Sequence, residues 1–309
     1  MRILVSGSLA YDRIMTFPGR FSDHILPDKI HILNVCFLVS GLEERFGGTA
    51  GNIAYNLALL GEAPLILSSA GKDFDHYEEW LRSHGLPLEG IRKVPEEFTA
   101  GAYITTDLSD NQITGFNPGA MKEPCGYDLS TVDPAEALAI VSPGNLDDMR
   151  NLPRLYREMG LPYIMDPGQN ITAFTGPELT EMITGAFALV TNDYELELIM
   201  KSTGMDRAAL ITRTPRIITT LGEKGAQIQT RDCEKMVGPV ATNTVDPTGA
   251  GDAFRAGLIK GLILGQSLSE SCALGATCAA YVVERMGTQE HTFTLEEFQA
   301  RYDGAFGQH

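Results

Sequence analysis

Ala188-Leu189-Val190-Thr191-Asn192-Asp193-Tyr194-Glu195-Leu196-Glu197-Leu198-Ile199-Met200-Lys201-Ser202 passes from a short apolar run into a helical pattern. The run at 188–190 reads as a buried parallel strand, and residues 194–202 as the helix that follows it. The alternation recurs outward along the chain. Further apolar runs stand at Ile3-Leu4-Val5, Leu65-Ile66-Leu67, Ala139-Ile140-Val141, Tyr163-Ile164-Met165 and Ile217-Ile218-Thr219. Residues 49–60 form another helical pattern, with Ile53, Leu57 and Leu60 on one stripe. Repeated β and α units imply a doubly wound, mainly parallel α/β sheet with helices on both faces.

Such sheets bind ligands at the C-terminal ends of their strands. There the sequence places Gly7 and Asp12, Ser142-Pro143-Gly144-Asn145, Asp166-Pro167-Gly168-Gln169, Asn192, and Thr220-Leu221-Gly222. Turns are rich in such residues for conformational reasons alone, so position is only a pointer. Residues 13–46 and 98–117 break the rhythm and read as strands of a small separate sheet, a lid subdomain appended to a single domain spanning 1–309. A lid at the ligand edge would exclude water.

With 40 acidic against 24 basic residues the net charge is −16, which opposes binding to a phosphate backbone and makes nucleic acid an unexpected partner. A nucleotide site in this chain must create local positive potential from backbone N–H groups, a few cations and a metal ion. The five cysteines are scattered and the six histidines form no metal-binding pattern, so buried free thiols in a reducing cytosol are expected. The short apolar run after Met1 and Arg2 is too brief for a signal peptide or membrane span. The expectation is a cytoplasmic protein with no membrane partner.

Near the C-terminus lies Asp246-Pro247-Thr248-Gly249-Ala250-Gly251-Asp252-Ala253-Phe254. Phe254, Leu258 and Leu262 follow at helical spacing, with Gly257, Gly261 and Gly265 as a small-residue ridge, so a tightly packed helix is expected to start near Gly251. Glycines ahead of a helix N-terminus let the backbone approach an anion, and the first-turn N–H groups attract it. Asp252 in that setting is either a helix-capping carboxylate or a general base beside a phosphate. The segment is no dinucleotide fingerprint, because Phe254 stands where a third Gly is needed, and no P-loop run occurs anywhere. His-Arg-Asp, Asp-Phe-Gly and Gly-x-Ser-x-Gly are also missing, against a protein kinase or an α/β-hydrolase.

Together with Gly47-Gly48-Thr49-Ala50-Gly51-Asn52-Ile53-Ala54, this segment resembles the two signatures of the ribokinase-like carbohydrate kinase family, also called PfkB. Asn192-Asp193-Tyr194-Glu195 is similar to its Asn-x-x-Glu motif, and Thr220-Leu221-Gly222-Glu223-Lys224-Gly225 to its nucleotide-side turn. The resemblance implies a ribokinase-like fold and phosphoryl transfer from ATP to a hydroxymethyl group. Asp252 would be the base, and the N–H groups of Gly249, Ala250 and Gly251 the anion hole. Asp12, Gly48 and Asn52 would grip the acceptor's hydroxyls. Asn52 alone could be a satisfied core amide, but Asn56 one turn later on the same face favours a ligand there. Asn192 and Glu195 would orient Mg²⁺ through water, although a capping box fits the pair too. Thr220, Gly222, Gly225 and Asn192 would lie along the nucleotide, and Asp246 and Thr248 would be the positions for a monovalent cation such as K⁺. Pro247 replaces the usual Thr of the second signature and removes one N–H.

Within the family, Asp166-Pro167-Gly168-Gln169, the segment ending Phe116-Asn117-Pro118-Gly119-Ala120 and the tail Gly287-Thr288-Gln289-Glu290-His291 resemble the bacterial adenosine kinase branch. Adenosine is therefore the expected acceptor, with Gln169 in its site and Phe116 either stacking on the purine or simply packing in its lid strand. A sugar kinase of the fructokinase or ribokinase type would use the same machinery, and a catalytically silent nucleoside-binding regulator would share the scaffold. A monomer and a homodimer are both compatible with a lid sheet.

Overall fold

In the computed structural model, which describes residues 1–25, 27–32 and 34–307, the chain opens with β1 (Arg2–Ser6), β2 (Ala10–Thr16) and β3 (Leu42–Gly47), then α1 (Thr49–Leu59). It continues through β4 (Leu65–Gly71), α2 (Asp75–Ser83), β5 (Ile91–Val94), β6 (Ala100–Thr106), β7 (Gln112–Asn117) and β8 (Ala137–Val141). Then come α3 (Leu146–Met159), β9 (Tyr163–Met165), α4 (Gly176–Ile183), β10 (Ala188–Asn192), α5 (Asp193–Thr203) and α6 (Arg207–Arg213). The last third holds β11 (Arg216–Thr220), β12 (Ala226–Thr230), β13 (Glu234–Val237), α7 (Ala250–Ile263), α8 (Leu268–Val282) and α9 (Leu295–Phe306).

The main sheet has the order β13-β12-β11-β10-β9-β8-β1-β4-β5. All neighbours from β11 to β5 are parallel, and β12 runs against the strands on either side of it. All six apolar runs read from the sequence are strands of this sheet. Their residues divide by parity: Ile3, Val5 and Ile140 join α1, α7 and α8 side chains such as Ile53, Leu57 and Leu258, whereas Leu4, Ala139 and Val141 pack with Met149, Leu152 and Leu179 of α3 and α4 on the opposite face. Burial on both faces is why these runs are continuously apolar. The edge strands β5 and β13 lack that signal; Arg92, Lys93, Glu234, Lys235 and Met236 are exposed.

A second sheet has the order β3-β2-β6-β7. The extended segments expected at 13–46 and 98–117 supply most of it, but β2 begins at Ala10, so Asp12 belongs to this sheet rather than to a loop after β1. Positions 26 and 33 of the expected segment lie outside the described residues. The third residue of β2, Asp12, and the fifth of β7, Phe116, are thereby carried to the edge of the main sheet.

The α7–α8 contact shows what two of the three ridge glycines do. A Cβ on Gly257 would stand 2.4 Å from the Leu274 carbonyl oxygen, and one on Gly261 would be 2.5 Å from Ser271 Cα. Gly265 differs: it follows the C-cap Leu264 with φ of 72° and open space around it, so it stops the helix instead of extending the ridge. Gly257→Ala is expected to destabilise by about 1–3 kcal/mol through overpacking against backbone, and Gly265→Asn to be near neutral because Asn tolerates the left-handed region. Urea midpoints at constant m-value check both.

Among the described residues no helix is long and apolar enough to cross a membrane. The cysteines are free, as expected, yet only Cys125, Cys272 and Cys278 are buried; Cys36 and Cys233 are exposed.

Candidate active site

Where strand order reverses about β1, the turn after β1 meets the start of α1 and the turn after β8. A Cβ on Gly7 would lie 2.4 Å from Ser142 Oγ and 2.5 Å from Thr49 Oγ1. Gly48, with φ of 87°, has Ser8 O at 2.5 Å from the same virtual atom, so neither position has room for a side chain. Above this junction opens a cavity of about 670 Å³. It is lined by Asp12, Gly48, Asn52, Phe116, Gln169, Asn192, Glu195, Thr220, Gly222, Thr248, Gly249, Ala250, Gly251 and Asp252. Gly225 lines an adjoining cavity of about 460 Å³, which shares Thr220, Gly222, Ala250 and Gly251 with the first. Asp246 lines neither; its carboxylate braces its own loop, accepting from Thr248 N at 2.9 Å and Gly287 N at 3.0 Å.

Asp252 is the third residue of α7, behind Gly249 with φ of 81°. Its half-buried side chain does not cap the helix. Among the described residues its hydrogen-bond partner is Asn52, whose Nδ2 donates to Oδ2 at 2.8 Å. Burial pushes the Asp252 carboxyl up to about 6, helped by the charges of Asp166 and Glu195 and opposed by the Asn52 bond and the Arg255 guanidinium. A carboxylate poised near neutrality is suited to accept a proton. Of the three expected anion donors, Ala250 N is drawn into a long turn contact with Pro247 O at 3.3 Å.

Asn192 and Glu195 form the capping box that the sequence permits: Glu195 N donates to Asn192 Oδ1 at 2.7 Å and Asn192 N to Glu195 Oε2 at 2.8 Å. Both also line the cavity. Asp12 is half-buried, and its carboxyl is raised by burial and Asp246 and lowered by Arg45. Phe116 is 54% exposed, so its ring is not core packing. The Gln169 side chain is exposed.

Asn56 does not face the cavity. It is fully buried, its Nδ2 donating to Asn52 O at 2.9 Å and its Oδ1 facing His291 Nε2 at 2.9 Å. The shared stripe of Asn52 and Asn56 is one cavity-lining amide and one satisfied core amide.

Sequence reasoning missed an ion pair beneath the site. Arg255, one turn after Asp252, is 6% exposed and Asp166 is 1% exposed; Arg255 Nη2 donates to Asp166 Oδ1 at 2.6 Å, and Nη1 donates to Gly251 O at 2.9 Å. Burial carries the Asp166 carboxyl to about 6 in spite of Arg255. The available signal was an arginine in the otherwise apolar and small stretch Ala253-Phe254-Arg255-Ala256-Gly257, since a buried charge requires a partner. Thr288 was missed as well; it lines the cavity, and Gly249 leaves room for it, a Cβ there lying 2.9 Å from Thr288 Cγ2.

Among the described residues no group of three or more His, Cys, Asp or Glu could hold a metal by itself. Glu195 and Asn192, side by side in the cavity lining, fit a Mg²⁺ that keeps waters and phosphate oxygens as most of its ligands.

Residues 11–294 match the model of the pfkB family of carbohydrate kinases. The nucleoside kinase of Methanocaldococcus jannaschii is 30% identical over 274 residues, 87% of this chain and 89% of the relative. The nucleoside kinase of Burkholderia thailandensis, solved in complex with inosine, superposes with a TM-score of 0.87 at 36% identity over 99% of both chains. The solved M. jannaschii enzyme gives 0.83 at 26% identity, covering 98% of this chain and 99% of that one. These relatives are nucleoside kinases, a broader class than the adenosine kinase branch that the sequence cues resemble. The ribokinase fold, the two glycine-bearing signatures meeting at one cavity and the match over residues 11–294 place the chain in the pfkB family, as a kinase that transfers phosphoryl groups to an alcohol acceptor.

Proposed function

We propose that the protein is an ATP-dependent nucleoside kinase that phosphorylates the 5′-hydroxymethyl group of a purine nucleoside, with adenosine the acceptor expected from the sequence. The observation that carries this reading is the place of the 249–252 turn. Asp252 lines the cavity in which Asp12, Asn52, Phe116 and Gln169 meet, and its neighbours Ala250 and Gly251 line the second cavity as well. One turn thus borders both an acceptor chamber and a donor chamber.

In the acceptor chamber the Asp12 carboxylate accepts from two ribose hydroxyls, with Gly48 and Asn52 beside them. The exposed Phe116 ring offers a stacking face, and Gln169 an amide for the base. Asp252 takes the proton of the attacking hydroxyl. The N–H groups of Gly249 and Gly251, with Ala250 between them, hold developing charge on the transferred group. Thr220, Gly222, Gly225 and Asn192 border the donor. Mg²⁺, outside Glu195 and Asn192, would neutralise phosphate charge. Asp246, already accepting two backbone N–H groups, remains with Thr248 the position at which a K⁺ requirement would arise. The small sheet serves a single kinase domain as a lid, bringing Asp12 and Phe116 over the acceptor and excluding water. The B. thailandensis relative, solved with inosine and also with ADP-inosine, supports a nucleoside as the acceptor.

The test is a panel of initial rates with Mg-ATP. Adenosine and inosine are expected to give kcat/KM about ten- to a hundredfold above fructose and ribose, because an acceptor without a base forgoes stacking on Phe116 and the Gln169 amide, together worth about 1–3 kcal/mol. A preferred hexose would make the protein a sugar kinase, and no turnover with any acceptor would make it a silent binder.

A further inference from the structure

The tail segment after α8 reaches back to the catalytic carboxylate through side-chain amides. Gln289 is 2% exposed. Its Nε2 donates to Asn52 Oδ1 at 3.0 Å and to the Tyr77 hydroxyl at 2.7 Å, and its Oε1 accepts from Trp80 Nε1 at 2.9 Å. Asn52 Nδ2 in turn donates to Asp252 Oδ2. Amides fit equally well in either orientation unless their neighbours decide. Here the neighbours do. An indole N–H can only donate, so Trp80 requires the oxygen of Gln289. Tyr77 spends its own proton on Gly47 O at 2.9 Å and so offers a lone pair, requiring the Gln289 nitrogen. Each amide then passes the same polarity to the next.

We propose that Gln289, its direction set by Trp80, is a positioning residue that fixes the Asn52 amide so that a hydrogen-bond donor, not an acceptor, faces Asp252. A flipped Asn52 would aim its oxygen at the carboxylate, repelling its charged form and discouraging it from acting as a base. The space for this chain is reserved: a Cβ on Gly51 would fall 1.9 Å from Tyr77 Oη and 3.2 Å from Gln289 Nε2. Trp80 itself is held in an aromatic stack with Phe46 and Tyr55. The other groups acting on Asp252 are charged and lie elsewhere: Asp166 in the turn after β9, Arg255 on α7 and Glu195 on α5. The proposal rests on Asp252 being the base of the kinase reading, but the arrangement can be tested without turnover.

The experiment is a carbon-13 NMR titration of aspartate carboxyls in the ligand-free protein, with the Asp252 signal assigned by its loss in Asp252→Asn. The wild-type midpoint is expected at about 6. Gln289→Met, which keeps length and removes both polar ends, should raise it by about one pH unit, the scale of a lost donor to a charged group. Trp80→Phe should raise it by less, and should add nothing in the Gln289→Met background, because Trp80 acts through Gln289. A Gln289→Met midpoint equal to wild type overturns the proposal; full additivity of the two shifts, or a Trp80→Phe midpoint equal to wild type, overturns the role given to Trp80. Acceptor turnover is measured in parallel on the wild type. Its absence would refute the kinase reading while the titration still decides the amide chain.

Discussion

Asp252→Asn is expected to lower kcat about a thousandfold while nucleoside binding persists, within the range that a positioned general base contributes. The variant keeps the size of the side chain and the neighbour Asn52, so lost turnover with retained binding separates proton abstraction from packing. Wild-type activity should fall as pH drops through about 6, where the carboxyl protonates. Stability carries the opposite sign. The folded carboxyl is raised above its ordinary value of 3.8, so its contribution to folding is fully present below that value and is lost as pH rises through about 6. Wild type should therefore lose stability relative to Asp252→Asn across that window, measured as denaturant midpoints at a series of pH values. Parallel midpoints for the two proteins would show that Asp252 is not held at a cost for function.

Asp166→Ala is expected to destabilise by about 3–5 kcal/mol, the cost of leaving one member of a buried ion pair without its partner. Arg255 cannot relieve the loss by shedding its proton, and its buried position offers little water. Replacing both partners, as in Asp166→Leu with Arg255→Met, should cost less than Asp166→Ala alone, because no charge is then stranded. A milder change reads the pair's influence on the base. Asp166→Asn removes a like charge facing Asp252, which should move the acid limb of activity to lower pH. This shift is opposite to the one expected from Gln289→Met. Urea unfolding of the four proteins and their pH–rate profiles test the pair; a double replacement as damaging as Asp166→Ala would contradict it.

The six central strands were legible because burial on both faces writes unbroken apolar runs, whereas β5 and β13 carry exposed charges and show no such run. The glycines at 48 and 249 were legible because a left-handed backbone in a crowded turn demands them, with φ of 87° and 81°. Gly265 was misread since helical spacing alone cannot tell a packing ridge from a C-terminal stop. Asn56 was misread for a related reason: a helical stripe says which way a residue faces, but not whether another buried polar group awaits it, and His291 does. The residues that sequence reasoning passed over act across long separations. Arg255 meets Asp166 at 89 residues' distance and Gln289 meets Asn52 at 237. Such pairings are set by the closing of α7 and the tail over the sheet; a lone arginine in an apolar stretch says that a partner is needed, but no local pattern says which residue it is.

The most direct measurement is a crystal structure of the protein with inosine or adenosine and a non-hydrolysable ATP analogue bound together. The account predicts the ribose on Asp12 and Asn52, the 5′-hydroxyl within hydrogen-bond distance of Asp252, and the triphosphate running from the 249–251 turn toward Gly222 and Gly225. A nucleoside seated with its 5′-hydroxyl away from Asp252, or a triphosphate occupying the chamber of Asp12 and Phe116, would contradict it.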